Sequence, residues 1–184
     1  METRDRGHGV FTVDGVLSAA ECDALVHETE TFGFLTAPIT TLTGFEHRPE
    51  IRNNTRVMLD DRKRAKWLWE RVQPWIPREY WDHHVVGLNE RFRYYRYQAG
   101  QYFRWHRDGA YRRNNRERSL LTLMVYLNDG FTGGDTDFGH IEPVVPRKGM
   151  ALVFEHRLRH CGQQVEQGTK YVLRTDVMYR GAPI

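Results

Sequence analysis

From about residue 90 the chain breaks into short runs rich in β-branched and aromatic residues, most of them bounded by Gly or Pro: RFRYYRYQAG, SLLTLMVYLNDG, TDFGH, IEPVVPRKG, MALVFEH, QQVEQG and KYVLRTDVMY. Many short strands with turn signals between them imply a sandwich or barrel core. Helices precede it. In GVLSAAECDALVHETETFGF, Ser18 stands as an N-cap with Glu21 three residues later, Ala20, Leu25 and Val26 keep rough helical register, and Gly33 ends the run. In DDRKRAKWLWERVQPW, Asp60 or Asp61 starts a second helix, Trp67, Leu68 and Val72 form its apolar side, and Pro74 stops it. The expected class is mainly β with packing helices. A chain of 184 residues accommodates one well-buried core. We therefore expect a single domain over 1–184, with helical support over about 1–89 and the β core over about 90–180.

Several function classes are argued against at once. No run is apolar enough to span a bilayer, and the opening METRDRGHGV lacks the apolar stretch of a secretory leader, so the expectation is a cytoplasmic protein with no membrane partner. Cys22 and Cys161 are the two cysteines, with no CxxC spacing, which argues against a disulfide framework and a thiolate metal site. The net charge of +3 is mild, because 24 acidic residues nearly offset 27 basic ones, and it argues for no nucleic-acid partner. One local concentration of charge stands out, at Arg112, Arg113, Arg116 and Arg118. It reads either as a solvated loop or as a grip on an acidic substrate group.

The stretch FRWHRDG contains His106-Arg107-Asp108, and Asp137-Phe138-Gly139 lies downstream. A protein-kinase reading of the two fails, since the catalytic loop needs Asn where Arg113 stands, and no glycine-rich loop or lysine-bearing strand precedes it. A metal reading begins from geometry. In an extended segment residues i and i+2 share a face, so His106 and Asp108 converge while Arg107 points away. Two His and one carboxylate occupy one face of an octahedral ferrous ion and leave the other positions open for chemistry. The second His has to come from a distant strand; His160, 54 residues on, is the candidate and His156 its competitor.

The blocks YQAGQYFRWHRDG, RSLLTLMVYLND, GGDTDF and HCGQQVEQGTKYVLR resemble, in order and spacing, the Fe(II)- and 2-oxoglutarate-dependent dioxygenases, specifically those similar to the prolyl 4-hydroxylase catalytic domain. The resemblance covers about residues 90–180. It implies a double-stranded β-helix, the cupin-like jelly-roll, with Fe(II) held by His106, Asp108 and His160. It also implies that 2-oxoglutarate chelates the iron and that its far carboxylate meets a buried cation. Lys170 lies ten residues after His160, as a basic residue does in such proteins. Arg174 remains a second candidate, because on an extended KYVLRTD it shares a face with Lys170 and Val172 and a guanidinium binds carboxylate bidentately; an ion pair with Asp176 is the structural alternative. By the same resemblance Tyr97 and Thr122 hydrogen-bond the co-substrate, although Tyr94, Tyr95 and Tyr97 also read as an aromatic core strand.

What remains rests on less. Asn53, Asn54 and Arg56 are candidates to line the pocket and touch substrate, as is Arg112, with turn formation the alternative for the Asn pair. Gly133 and Gly134 read as a tight turn or bulge, His156 and Arg159 are expected near the site's mouth without an assigned role, and residues 34–52 read as a mobile lid. The resemblance implies hydroxylation of an unactivated C–H bond with O2, coupled to conversion of 2-oxoglutarate to succinate and CO2, with ascorbate as a reductant. Asp108 supports oxidation over halogenation, for which relatives carry a small residue there. The substrate class is a prolyl or peptidyl residue, a free amino acid or a small natural product. A non-catalytic cupin-like metal-binding or regulatory module is the alternative.

Overall fold

The computed structural model describes residues 2–41 and 44–182. Nine strands carry the site and its support: β1 (Val10–Val13), β2 (Thr55–Asp60), β3 (Arg91–Gln98), β4 (Phe103–His106), β5 (Glu117–Tyr126), β6 (Thr136–Asp137), β7 (Ala151–Glu155), β8 (His160–Gly162) and β9 (Thr169–Arg180). The major sheet has ten strands and runs β1-β7-β5-β9-β3-β2 through its middle. Thr3–Gly7 and Leu35–Thr36 lie at its ends, and His83–Leu88 pairs with the C-terminal part of β9. Every pairing is antiparallel. A minor sheet, β4-β8-β6, provides the other layer of the double-stranded β-helix.

Strand alternation sorts the side chains between two cores. Phe92 and Tyr94 of β3, Leu123 of β5 and Leu173 of β9 face outward and pack with the helices, whereas Tyr95, Tyr97 and Val172 face inward with Tyr126, Leu152 and Phe154. Both helices, α1 (Ala19–Phe32) and α2 (Arg62–Val72), cover the outer face. Helix α1 begins at the expected capping box, with the Ser18 side chain accepting from the Glu21 N–H and the Glu21 carboxylate accepting from the Ser18 N–H. Its buried side is Cys22, Leu25 and Thr29; Val26 packs at the margin and Ala20 faces solvent. Asp61 caps α2, Ala65, Leu68 and Val72 are buried, Trp67 is half-buried, and Pro74 sits in the 3-10 turn that follows.

The first 89 residues provide more than helical support, since six of the ten major-sheet strands come from them. Most are two to six residues long and interrupted by turns, so alternation has too few positions to register in the sequence. Residues 34–52, apart from Leu42 and Thr43, which lie outside the described residues, contain Leu35–Thr36 and paired strands Ile39–Thr41 and Gly44–Glu46. Both cysteines are free and buried. No helix among the described residues is long and apolar enough to cross a membrane.

Candidate metal centre and co-substrate cavity

His106 ends β4 and His160 opens β8, and the two are direct cross-strand partners. Asp108 follows two residues after His106, where its N–H donates to the His156 carbonyl at 3.0 Å. The Nε2 atoms of His106 and His160 lie 3.7 and 3.8 Å from Oδ1 and Oδ2 of Asp108, and one donor atom from each residue falls within a 4.8 Å cluster. Each ring turns its Nδ1 toward a backbone carbonyl, His106 to Arg104 at 2.7 Å and His160 to Leu158 at 3.0 Å. A carbonyl only accepts, so Nδ1 carries the proton and each Nε2 lone pair faces the cluster.

Protonation favours the same use. Burial, reinforced by the neighbouring His160, pushes His106 down to about 3, and burial lowers His160 as well. Burial alone would raise Asp108, but the Arg174 guanidinium and the two imidazoles hold its carboxyl well below the usual range. Two neutral imidazoles and one carboxylate can hold a divalent ion that keeps open positions. The donor set therefore fits ferrous iron.

Asp108 is held from behind by a relay. The Thr122 hydroxyl donates to Asp108 Oδ2 at 2.6 Å and meets His156 Nδ1 at 2.9 Å; His156 Nε2 meets the Ser119 hydroxyl at 2.7 Å, and Ser119 accepts from the Tyr111 N–H at 2.8 Å. One proton arrangement satisfies all four links: Ser119 donates to Nε2, and Nδ1–H donates to Thr122. His156 is neutral at ordinary pH, with burial pushing it down to about 4. Both its nitrogens are engaged away from the cluster, so the competitor for the third ligand position is the support of a ligand. Thr122 likewise turns to Asp108 and is absent from the cavity lining.

Beside the cluster an inner cavity runs between the sheets, lined among others by Tyr97, Met124, Thr136, Lys170 and Val172. Lys170 is 3% exposed, and its ammonium donates to the Gly134 carbonyl and lies 5.4 and 5.5 Å from the Tyr97 and Tyr126 ring centroids. Among the described residues no carboxylate lies within ion-pair distance of it, and burial pulls it down to about 8. Burial also raises the Tyr97 phenol to about 12. Gly133 and Gly134, both at positive φ, lie at a register shift between Thr132–Gly133 and Val165–Gln167, a bulge and not a turn, and a Cβ on Gly134 would sit 3.0 Å from Val165 Cγ2, 3.2 Å from Phe131 Cε2 and 3.3 Å from Cδ of Lys170. Arg174 shares the inner face with Lys170 but is occupied, its Nη2 lying 3.2 Å from both Asp108 and Asp176.

Thr136 is a residue that the sequence reading missed. It lines the inner cavity from β6, and its hydroxyl meets that of Tyr126 at 2.7 Å. The GGDTDF block carried it, but was read only as a turn and as part of the resemblance. Outside lies a larger cleft of about 500 Å³, bounded by Pro38, Ile39 and Ile51 and by arginines that include Arg52 and Arg56. Asn54 is buried behind it and accepts from Arg52 Nε at 2.7 Å, while Asn53 ties down the 100–102 turn. Arg112 is exposed outside the cleft, and Arg113 pairs with Glu90 and Glu117, so the structure does not bring the Arg112–Arg118 loop to the site. Arg159 is exposed, with its guanidinium 4.9 Å from the Trp105 ring centroid.

Residues 92–175 match the model of the 2OG-Fe(II) oxygenase superfamily, and that span contains both histidines, Asp108 and Lys170. Over these residues the chain is similar to a 2OG-Fe(II) oxygenase core. That family implies Fe(II) and 2-oxoglutarate. No curated protein matches it in sequence. Among solved structures it is similar to a viral collagen prolyl hydroxylase from Paramecium Bursaria Chlorella virus-1 in its 2OG complex, at 22% identity and TM-score 0.61, covering 94% of this chain and 97% of that one. A Pseudomonas putida prolyl-4-hydroxylase is 18% identical with TM-score 0.65, covering 95% and 93%. A Trichoplax adhaerens prolyl hydroxylase in complex with a hypoxia inducible factor peptide fragment is 14% identical with TM-score 0.69, covering 92% and 83%. At these identities the likeness is one of fold.

Proposed function

We propose that this chain is a hydroxylase whose iron is held by His106, Asp108 and His160 and whose 2-oxoglutarate is anchored by Lys170, in a single domain over 1–184. The observation that carries the reading is the buried Lys170 ammonium, which makes no ion pair among the described residues, Asp135 acting on it only from beyond that distance, and which lies in a cavity lined also by the three ligands. A dicarboxylate that reaches the cluster with one end places its other carboxylate on this cation. Tyr97 and Thr136 lie in the same cavity and supply hydroxyls to it. Arg174, already shared by two carboxylates, keeps Asp108 ionised and takes no part in anchoring.

When bound, iron and 2-oxoglutarate activate O2, one oxygen atom entering succinate as CO2 leaves and the other entering a substrate C–H bond to give an alcohol. The protein orients and shields. Phe103 stacks on the His106 ring at 3.5 Å between centroids, and Phe154 packs edge-on against His160 at 4.6 Å, so apolar surface backs both imidazoles and excludes water. Thr122 and His156 fix the carboxylate rotamer. Ascorbate serves as a reductant, no nucleic acid is needed, and the cytoplasm is the proposed location.

The prolyl hydroxylases among the similar folds, one of them holding a peptide, support a prolyl or peptidyl residue as substrate, with a free amino acid or a small natural product as the other classes proposed. The test is succinate formation from 2-oxoglutarate with added Fe(II), in the wild type and in His160→Ala, across amino acids and proline-containing peptides, with mass spectrometry for a gain of one oxygen. Turnover in the wild type and none in the variant is expected. Absence of succinate in the wild type would replace the hydroxylase with a non-catalytic metal-binding module.

A further inference from the structure

The outer cleft is unusually basic. Five arginines line it, Arg52, Arg56, Arg93, Arg107 and Arg174, against one carboxylate, that of Asp108. Three of the five are accounted for. Arg174 is shared by Asp108 and Asp176, Arg93 donates to Asp176 at 3.2 Å, and Arg107 is exposed and donates to the Arg157 carbonyl at 2.9 Å. Arg52 and Arg56 are left over.

Arg52 is only 5% exposed. Its guanidinium lies 4.5 and 4.4 Å from the Tyr95 and Phe103 ring centroids, its Nε is spent on the neutral Asn54 amide, and its Nη2 is buried without a partner. A buried, unpartnered donor on a stacked guanidinium is costly unless something answers it. Arg56 is half-buried on the same cleft, and among the described residues no acid lies within ion-pair distance of it. The potential there is felt by a neighbour: burial would raise the Tyr95 phenol, yet Arg52 and Arg174 draw it down to about 8. Pro38, Ile39 and Ile51 give the same lining an apolar part.

We infer that the primary substrate is a small carboxylic acid whose free carboxylate is received by Arg56 and Arg52 while its hydrocarbon part lies along Pro38, Ile39 and Ile51, next to the metal ligands. Guanidinium groups bind carboxylates through paired charge-assisted hydrogen bonds, and the cleft volume of about 500 Å³ suits a ligand of amino-acid to short-peptide size. The inference rests on the hydroxylase reading and narrows its substrate class. Local arginine density at 112–118 marks no part of this grip; Arg52 and Arg56 are separated in sequence from it and from the ligands.

The test uses the full chain loaded with Mn(II) and 2-oxoglutarate under argon, titrated calorimetrically with matched acids and amides: L-proline and L-prolinamide, L-leucine and L-leucinamide, and a proline-containing tripeptide with free or amidated C-terminus. At least one acid should bind tenfold or more tightly than its amide. Arg56→Gln should bring that pair to parity and Arg56→Lys should retain part of the preference, with circular dichroism confirming that both variants fold. If every acid binds no more tightly than its amide, or the preference survives Arg56→Gln, the inference is overturned. A preference for the free tripeptide over free amino acids places the carboxylate at a peptide terminus, a result that keeps the inference. Iron-dependent succinate formation by the wild type is scored separately, so loss of the hydroxylase reading and loss of the carboxylate grip give different results.

Discussion

Replacing Lys170 by methionine should stabilise the ligand-free protein while removing its response to 2-oxoglutarate. Burial holds the Lys170 ammonium at a pKa of about 8 against an ordinary 10.5, a difference worth about 3 kcal/mol of folding free energy forfeited wherever the group must be charged. Methionine keeps the length and removes the charge. It also strands the Gly134 carbonyl that Lys170 now bonds, at a cost of about 1 kcal/mol. A net gain of about 2 kcal/mol at pH 7 follows, or roughly 5 °C in Tm for a chain of this size. The pH dependence has a definite sign. A lysine depressed in the folded state releases its proton there before it does so when unfolded, so the wild type gains stability from pH 8 to 10.5 and the advantage of the variant fades over that window. Differential scanning fluorimetry of both proteins from pH 7 to 10, with Mn(II) and with or without 2-oxoglutarate, measures each part. A variant no more stable than the wild type, a gap independent of pH, or an undiminished rise in Tm on adding 2-oxoglutarate to the variant would each refute the reasoning.

The relay behind Asp108 and one glycine give two further tests. Thr122→Val removes the donor to Asp108 Oδ2 and strands His156 Nδ1, and should weaken Mn(II) affinity by about 10- to 100-fold in a calorimetric titration; unchanged affinity would dismiss the relay as a support. Gly149→Ala adds a Cβ at φ +81° only 2.1 Å from the Leu17 carbonyl oxygen, so urea unfolding should show a loss of at least about 2 kcal/mol, and a neutral result would mean that the 17–149 contact yields freely.

The features that could be read from sequence are those written in local periodicity. The capping box at Ser18 and Glu21, the shared face of His106 and Asp108, and that of Lys170, Val172 and Arg174 each follow from a spacing of two or three residues. His160 could be narrowed to one of two histidines by spacing, and the resemblance favoured it over His156. Its placement opposite His106 is a tertiary fact. Thr136, the support given by His156 and the stacked Arg52 were out of reach for the same reason. Arg52 matters because β3 and β4 bring Tyr95 and Phe103 around its guanidinium, and nothing in EIRNN announces that. Arg112 shows the converse, a dense local charge that leaves it exposed outside the cleft lining while Arg113 turns to Glu90 and Glu117.

The pairing of His106 with His160 across β4 and β8 has a consequence for how such a protein diversifies. Insertions in the connections beyond Asp108 leave the centre intact as long as the pairing and the Thr122–His156 support survive, whereas one residue added within either strand turns a ligand ring to the wrong side. Reactivity is thereby insulated from the walls that choose the guest. Redrawing the cleft at Pro38, Ile39 and Arg56 would exchange one guest for another while keeping the Arg52 and Asn53 contacts that support the strand of His106.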